Sequence, residues 1–250
     1  MLDGIGASVA WAVLQRRGEA METRFAAQKT NAADADRFRA RATAIASVED
    51  LLKDRRSLTM VLEAFQMESE VDKRAVIRKL LTENPADQAS FANRMADHRY
   101  REINAAFGGR SGAPLASPAL VERIIQRTMV NRFEKAAGEG NAGLREALYF
   151  QRSIAAVGSI PALMSDTALV AVAKGALGLP SQFGLLDYDQ QKALLTRRLD
   201  PATFTDAKAM DRLIQRYLVQ AGGSSTGTDW RVSLLSGSGG SSLPGFSLTV

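Results

Sequence analysis

The sequence contains no cysteine and a single histidine, His98, and only 6% of its residues are aromatic. Without cysteine the chain cannot form a disulfide framework, a thiolate zinc site or a cysteine nucleophile. One histidine also excludes the usual imidazole clusters, so a metal would need carboxylate ligands alone. Because the commonest catalytic and metal-binding chemistries are missing, we expect no enzymatic activity, no cofactor and no metal.

The chain also lacks a strong charge of one sign and a long apolar run. Its 32 lysines and arginines exceed its 27 acidic residues by a formal net charge of +5, and the excess is spread over both halves. Nucleic-acid-binding proteins usually gather their basic residues on one face, so the pattern argues against that class. No stretch approaches the roughly 20 apolar residues of a membrane span, and the start has no basic signal-peptide region. We therefore expect a cytoplasmic protein without a membrane span.

Helical periodicity is what the sequence does contain. Apolar residues recur at helical spacing almost throughout, for example from Leu58 to Phe65 and from Met210 to Leu218. Residues typical of helix N-caps precede several of these stretches. The predicted N-caps are Ser47, Asp54, Asp97, Ser117 and Asp166. The sequence predicts an all-α fold.

Two segments of the chain resemble each other in sequence. "SVEDLLKDRRSLTMVLEAFQM", which begins at Ser47, aligns without a gap on "SIPALMSDTALVAVAKGALGL", which begins at Ser159. This alignment pairs Leu51 with Leu163. Neighbouring segments add three pairs, namely Phe38 with Phe150, Phe91 with Phe204, and Arg24 of "ETRF" with Arg132 of "VNRF". We interpret the repeat as a tandem duplication.

The repeat predicts four segments. A first helical copy covers 1–107, a loop rich in glycine, serine and proline covers 108–116, and a second copy covers 117–221. Two copies that each expose an apolar face usually bury it against one another, so we expect one pseudo-symmetric body. The glycine- and serine-rich tail, 222–250, has too few apolar residues for a core of its own and is predicted to be flexible.

Two short apolar islands interrupt this tail. We expect them to become ordered only against a partner, which makes the tail a candidate recognition element. The candidate partner-binding residues there are Trp230, Leu234, Leu235, Phe246, Leu248 and Val250.

The stretch "SFANRMADHRYREI", 90–103, has the densest polar chemistry of the chain. If Asp97 caps a helix, Tyr100 lies on its inward face and His98 points about 160° away from it, so His98 is expected to face solvent without a chemical role. Arg94, Arg99 and Arg101 are candidate partner-binding residues, and they leave open an alternative function as an anion or nucleic-acid site.

Several motifs resemble an uncharacterised bacterial family, domain of unknown function twelve-seventeen. They are "KDRRSLTMVLEAFQM", "SFANRMADHRYREINAAFG", "GLREALYFQRSI" and "ALLTRRLDPATFTDAKAMDRLIQRYL", and together they cover most of 10–220 in the same order. In that family the position of His98 is often proline, which suits the first turn of a helix after the Asp97 cap.

The resemblance implies a function only indirectly. Members of the family are often encoded among flagellar genes, and some carry the label flagellar basal-body rod protein. The expectation is therefore a non-enzymatic protein–protein interaction protein that supports flagellar assembly or motor function, with a flagellar component as its partner. Its expected location is the cytoplasm, or the flagellum after export without a cleaved signal.

Overall fold

The computed structural model describes residues 2, 4–109 and 112–225. α-Helices and short 3-10 helices make up the regular structure of that part of the chain, which contains no strand, so the predicted all-α fold is confirmed. The α-helices are α1 (Ala7–Ala26), α2 (Lys29–Ala42), α3 (Val48–Lys53), α4 (Arg55–Glu63), α5 (Arg74–Thr82), α6 (Phe91–Arg94), α7 (His98–Phe107), α8 (Pro118–Glu139), α9 (Leu144–Ser153), α10 (Ile160–Met164), α11 (Thr167–Ala176), α12 (Tyr188–Arg198) and α13 (Ala207–Ser225).

The predicted N-caps all form. At each position a side-chain oxygen accepts a hydrogen bond from a backbone N–H in the first turn of the following helix, which has no intrahelical acceptor of its own. The helices capped in this way are α3 by Ser47, α4 by Asp54, α7 by Asp97, α8 by Ser117 and α11 by Asp166.

The buried apolar residues form two clusters. The first core comprises the inward faces of α2 to α7 and the stretch of α8 from Leu120 to Met129. The second core comprises α9 to α13, together with Phe133 and Ala137 at the other end of α8. The long helix α8 therefore runs through both cores and fixes one relative to the other.

Helix α1 belongs to the second core although it begins the chain. Its buried residues Ala10, Trp11 and Leu14 pack in that cluster. The indole N–H of Trp11 also donates a hydrogen bond to Asp211 of α13, at 2.8 Å. The first helix thus crosses to the half of the chain that is synthesised last.

The two halves of the chain begin in the same way. A long helix, α1 or α8, is followed by a second helix, α2 or α9, and then by a short one, α3 or α10. Leu51 and Leu163 are both buried, as predicted. The prediction that Phe91 is as enclosed as Phe204 is wrong: Phe204 is buried, but Phe91 begins the four-residue helix α6 at the edge of the first core and is only partly covered. The duplication itself stays a prediction.

The segment ends refine the predicted boundaries. The predicted loop lies between α7 and α8, and α13 continues to Ser225, beyond the predicted start of the tail.

The six candidate recognition residues of the tail, from Trp230 to Val250, lie outside the described residues. None of the helices that the structure describes combines the length and hydropathy needed to cross a membrane.

Candidate functional site at the junction of the two cores

Part of the polar stretch 90–103, from Asp97 to Glu102, lies where the first core meets the second. The inward face of α7 is formed by Ile103 and Phe107, which are buried, and by Tyr100, which is partly covered. Asn104 on the same helix is buried and donates hydrogen bonds to the carbonyls of Leu80 and Glu83, both at 2.9 Å. Helix α7 is therefore fixed to α5, and its opposite face is presented to the second half.

The expectation that His98 faces solvent is wrong. Its side chain is 27% exposed, and Nε2 lies 3.3 Å from the Tyr149 hydroxyl. The imidazole also lies 3.7 Å from a carboxylate oxygen of Asp166 and 3.5 Å from one of Glu102. A helical wheel shows which face of α7 is apolar, but not that α9 and the start of α11 cover the polar face.

Tyr149 and Asp166 form the centre of this junction. The Tyr149 hydroxyl donates to Asp166 Oδ2 at 2.6 Å, and Asp166 Oδ1 accepts from the backbone N–H groups of Ala168 and Leu169. Burial, and after it the hydrogen bond to Asp166, raises the pKa of Tyr149 well above its usual value. The tyrosine is thus a neutral donor that joins α9 to the cap of α11.

Two arginines close the junction on either side. Arg127 of α8 lies over the ring of Phe65 at 4.5 Å and bonds the Ala64 carbonyl at 3.0 Å. Arg152 of α9 lies over the ring of Tyr149 at 5.2 Å and donates to Glu134 at 2.9 Å.

The partner of Arg152 is the most buried carboxylate of this region. Glu134 is 3% exposed, so burial raises its pKa, while the hydrogen bond from Arg152 acts in the opposite direction. Removal of that arginine would leave a buried carboxylate without its cation, which is why we assign Arg152 a structural role.

The three candidate arginines do not form a shared patch. Arg99 is held by Asp97 and by the carbonyl of Gln66, at 2.6 Å in both cases. Arg101 donates to the carbonyl of Met95 at 2.7 Å. Of the three, only Arg94 is exposed, and its side chain makes no hydrogen bond or ion pair with another described residue. Two of the three guanidinium groups therefore support the local backbone, and a role of any of them in partner binding stays a prediction.

Two openings lead to the junction, a cavity of about 300 Å³ and a groove of about 700 Å³. His98 and Glu102 line both of them, and Ser153 does too. Both openings give access to the imidazole of His98, whereas Tyr149 and Asp166 are already bonded to each other. Within the part of the chain that the structure describes, no cluster of acidic side chains and histidine has a geometry suited to a metal ion.

Sequence reasoning missed Tyr149, Arg152 and Glu134, and it identified Asp166 only as a helix cap. In the self-alignment Phe38 pairs with Phe150, which is the core residue next to Tyr149 in the sequence. No local pattern marks Tyr149, because its partners come from α7 and α11, which are distant in sequence.

Comparison with known proteins places the chain among relatives of undefined activity. The model of a family described as "Protein of unknown function (DUF1217)" matches residues 64–210, more than half of the chain, and the chain belongs to this family. An X-ray crystal structure of a protein from Agrobacterium tumefaciens is similar, with a TM-score of 0.75 and 26% sequence identity over 86% of this chain and 92% of that one. A search of curated proteins gave no match.

Proposed function

We propose that this DUF1217 protein is a non-enzymatic protein–protein interaction protein that supports flagellar assembly or motor function. The observation that carries the non-enzymatic part is the junction, where Tyr149, Asp166, Arg152 and Glu134 bind one another across helices. Groups that perform acid–base or nucleophilic chemistry must instead reach a substrate. The flagellar part rests on the family resemblance of the sequence motifs.

A deletion strain tests the flagellar role. Removal of the gene should reduce swimming in soft agar, and the wild-type gene supplied in trans should restore it. A deletion strain that swims and assembles filaments as the parent does would rule out the proposal.

The same strain tests the non-enzymatic role. His98→Gln removes the titratable ring that could act as an acid or base, and we expect the variant to restore swimming as well as the wild-type gene does. Circular dichroism and thermal unfolding of the purified variant serve as controls for folding. A folded variant that fails to restore swimming would argue for chemistry at the junction.

The site of action is the second part of the proposal. We propose that the protein works in the cytoplasm or after flagellar-type export, and fractionation of wild-type and export-deficient cells separates the two. Protein found outside wild-type cells but retained in export-deficient cells would identify an exported component. The alternative, an anion or nucleic-acid site around Arg94, has less support because Arg99 and Arg101 are bound within the chain.

A further inference from the structure

A further open site is a groove of about 760 Å³ between α2 and α4 of the first core. Five arginines line it, and we call it the arginine groove. They are Arg37 and Arg41 of α2, Arg55 and Arg56 of α4, and Arg132 of α8. Since none of these residues belongs to the junction around Tyr149, the groove is a separate site.

The charges of the groove are only partly compensated. Arg37 pairs with Asp34 at 2.9 Å, Arg41 with Asp54 at 2.6 Å. Arg56 forms no ion pair or side-chain hydrogen bond with any other described residue, and it is exposed. Each guanidinium has five N–H donors, so an arginine that binds one carboxylate keeps donors for another.

Arg55 and Arg132 are also occupied on one side only. Arg55 pairs with Asp72 at 2.6 Å, and both side chains are largely exposed. Solvent screens an exposed pair of this kind, so a ligand can compete for the arginine at small cost. Arg132 is less exposed and binds Glu63 and Asp34, so its side chain is held in place at one end of the groove.

The floor of the groove is apolar. Phe38 and Met60 lie beneath the arginines, and both belong to the buried first core. Cavities of about 300 to 1,000 Å³ that combine an apolar floor with a few polar groups are typical of ligand sites. The arrangement suits a ligand with carboxylates on its edges and an apolar side chain between them.

We propose that the arginine groove binds an acidic peptide segment of a protein partner, with Arg37 and Arg56 as its carboxylate-binding residues. This inference rests on the proposed interaction function and specifies the chemistry of the partner. Asp34 and Asp54 lie in the same groove, so a ligand must place its negative charges beside the arginines and away from these two carboxylates. A peptide can alternate glutamates with apolar side chains that face Phe38 and Met60, whereas a nucleic acid carries a phosphate at every nucleotide.

Fluorescence anisotropy of the full chain with a labelled synthetic peptide, in which glutamates alternate with leucines, tests the proposal. A peptide with glutamine at every glutamate position, and a labelled single-stranded oligonucleotide, complete the set of probes. We expect the glutamate peptide to bind and the glutamine peptide to bind at least about tenfold more weakly, because the charge-assisted hydrogen bonds are lost.

Charge-reversed variants locate the binding site. The double variant Arg37→Glu, Arg56→Glu should weaken binding of the glutamate peptide by about tenfold or more. Arg16→Glu, Arg17→Glu is the matched control, because it makes the same change in net charge on exposed residues of α1. Equal losses in both double variants, equal binding of the glutamate and glutamine peptides, or tighter binding of the oligonucleotide would each overturn the proposal.

Swimming separates this proposal from the proposed function. The groove variant should fail to restore swimming to the deletion strain, while the α1 control restores it. If the deletion impairs swimming and the groove variant restores it, the groove proposal fails and the flagellar role stands. If the deletion has no effect on swimming, the flagellar role fails, and the anisotropy data alone decide whether the groove binds acidic peptides.

Discussion

The two cores of the molecule are both helical, but different interactions hold their helices together. Around the first core, ion pairs cross-link neighbouring helices, such as Arg39 of α2 with Glu122 of α8 and Arg78 of α5 with Glu49 of α3. Among the described residues from 140 to 225, ion pairs involve only Asp166 and Arg152. The second core relies instead on close contact between helices.

Small residues make that contact possible. A Cβ atom added at Gly175 of α11 would lie 2.6 Å from the ring of Tyr217 on α13. Gly143 has a positive φ of 80°, and an added Cβ there would lie 2.8 Å from the side chain of Ala221. The second core thus depends on close contact between its helices, whereas the first core also has ion pairs across its surface.

The strongest test of this comparison concerns α1, the helix of the first half that packs in the second core. Trp11→Ala should lower the free energy of unfolding by about 3–5 kcal/mol, because it removes a large buried ring, one that is 1% exposed. Urea unfolding followed by circular dichroism measures the change. Val9→Ala on the same helix is the control, since Val9 is 56% exposed. Equal, small effects of the two changes would show that α1 does not stabilise the second core.

Tyr149→Phe tests the polar contact between the halves. Loss of the hydroxyl that donates to Asp166 should cost about 1.5–3 kcal/mol, the usual range for a hydrogen bond to a charged group. Tyr188→Phe is the control, because Tyr188 is exposed. A loss below about 0.5 kcal/mol, the range of an ordinary surface change, would mean that the hydroxyl does not join the halves.

The same variant should change the response to alkaline pH. Because the pKa of Tyr149 is raised in the folded protein, the unfolded chain releases this proton first as the pH rises. The contribution is fully present below the ordinary tyrosine pKa of about 10 and is lost above it. Unfolding measured from pH 9 upward should therefore show a shallower loss of stability in Tyr149→Phe than in the wild type. An identical slope would contradict the assignment.

Gly175→Ala examines the close packing of the second half. The added methyl group must displace the ring of Tyr217, and overpacking of this kind costs about 1–3 kcal/mol. Gly18→Ala in α1 provides a control of opposite sign, because nothing lies within 4 Å of the added Cβ. That change should stabilise the helix by about 0.5–1 kcal/mol. Stabilisation by both changes would show that the added methyl group fits between α11 and α13 without displacing Tyr217.

The smallest expected effect belongs to the ion pairs of the first half. Arg78→Gln removes the exposed pair with Glu49 and should lower the melting temperature only slightly, because solvent screens the pair. The difference from wild type should shrink further in 1 M salt, since screening weakens exposed pairs. Thermal unfolding at low and high salt measures both quantities. A large drop in melting temperature, or a drop that salt does not change, would show that the pair stabilises the protein as much as a buried core residue does.

Local sequence signals predicted the fold well and the site poorly. The caps at Ser117 and Asp54 and the inward face of α7 are set by residues within one or two helical turns, so the sequence alone identifies them. The surroundings of His98 depend on α9 and α11, which no local pattern joins to α7. Residues that are paired in the self-alignment do not always have the same role. Arg132 binds Glu63, whereas Arg24, which the self-alignment pairs with it, is exposed.

The position of α1 has a consequence for the order in which the chain folds. Its hydrogen bond from Trp11 to Asp211 spans 200 residues of sequence. At ribosomal rates of about 5–20 residues per second, α1 waits roughly 10–40 seconds after its synthesis before Asp211 is made. The first core contains none of the buried residues of α1, so it can assemble while that helix is still unpacked. Contacts between residues so far apart in sequence form slowly because of the loop they must close, so we expect docking of α1 to be the step that completes folding.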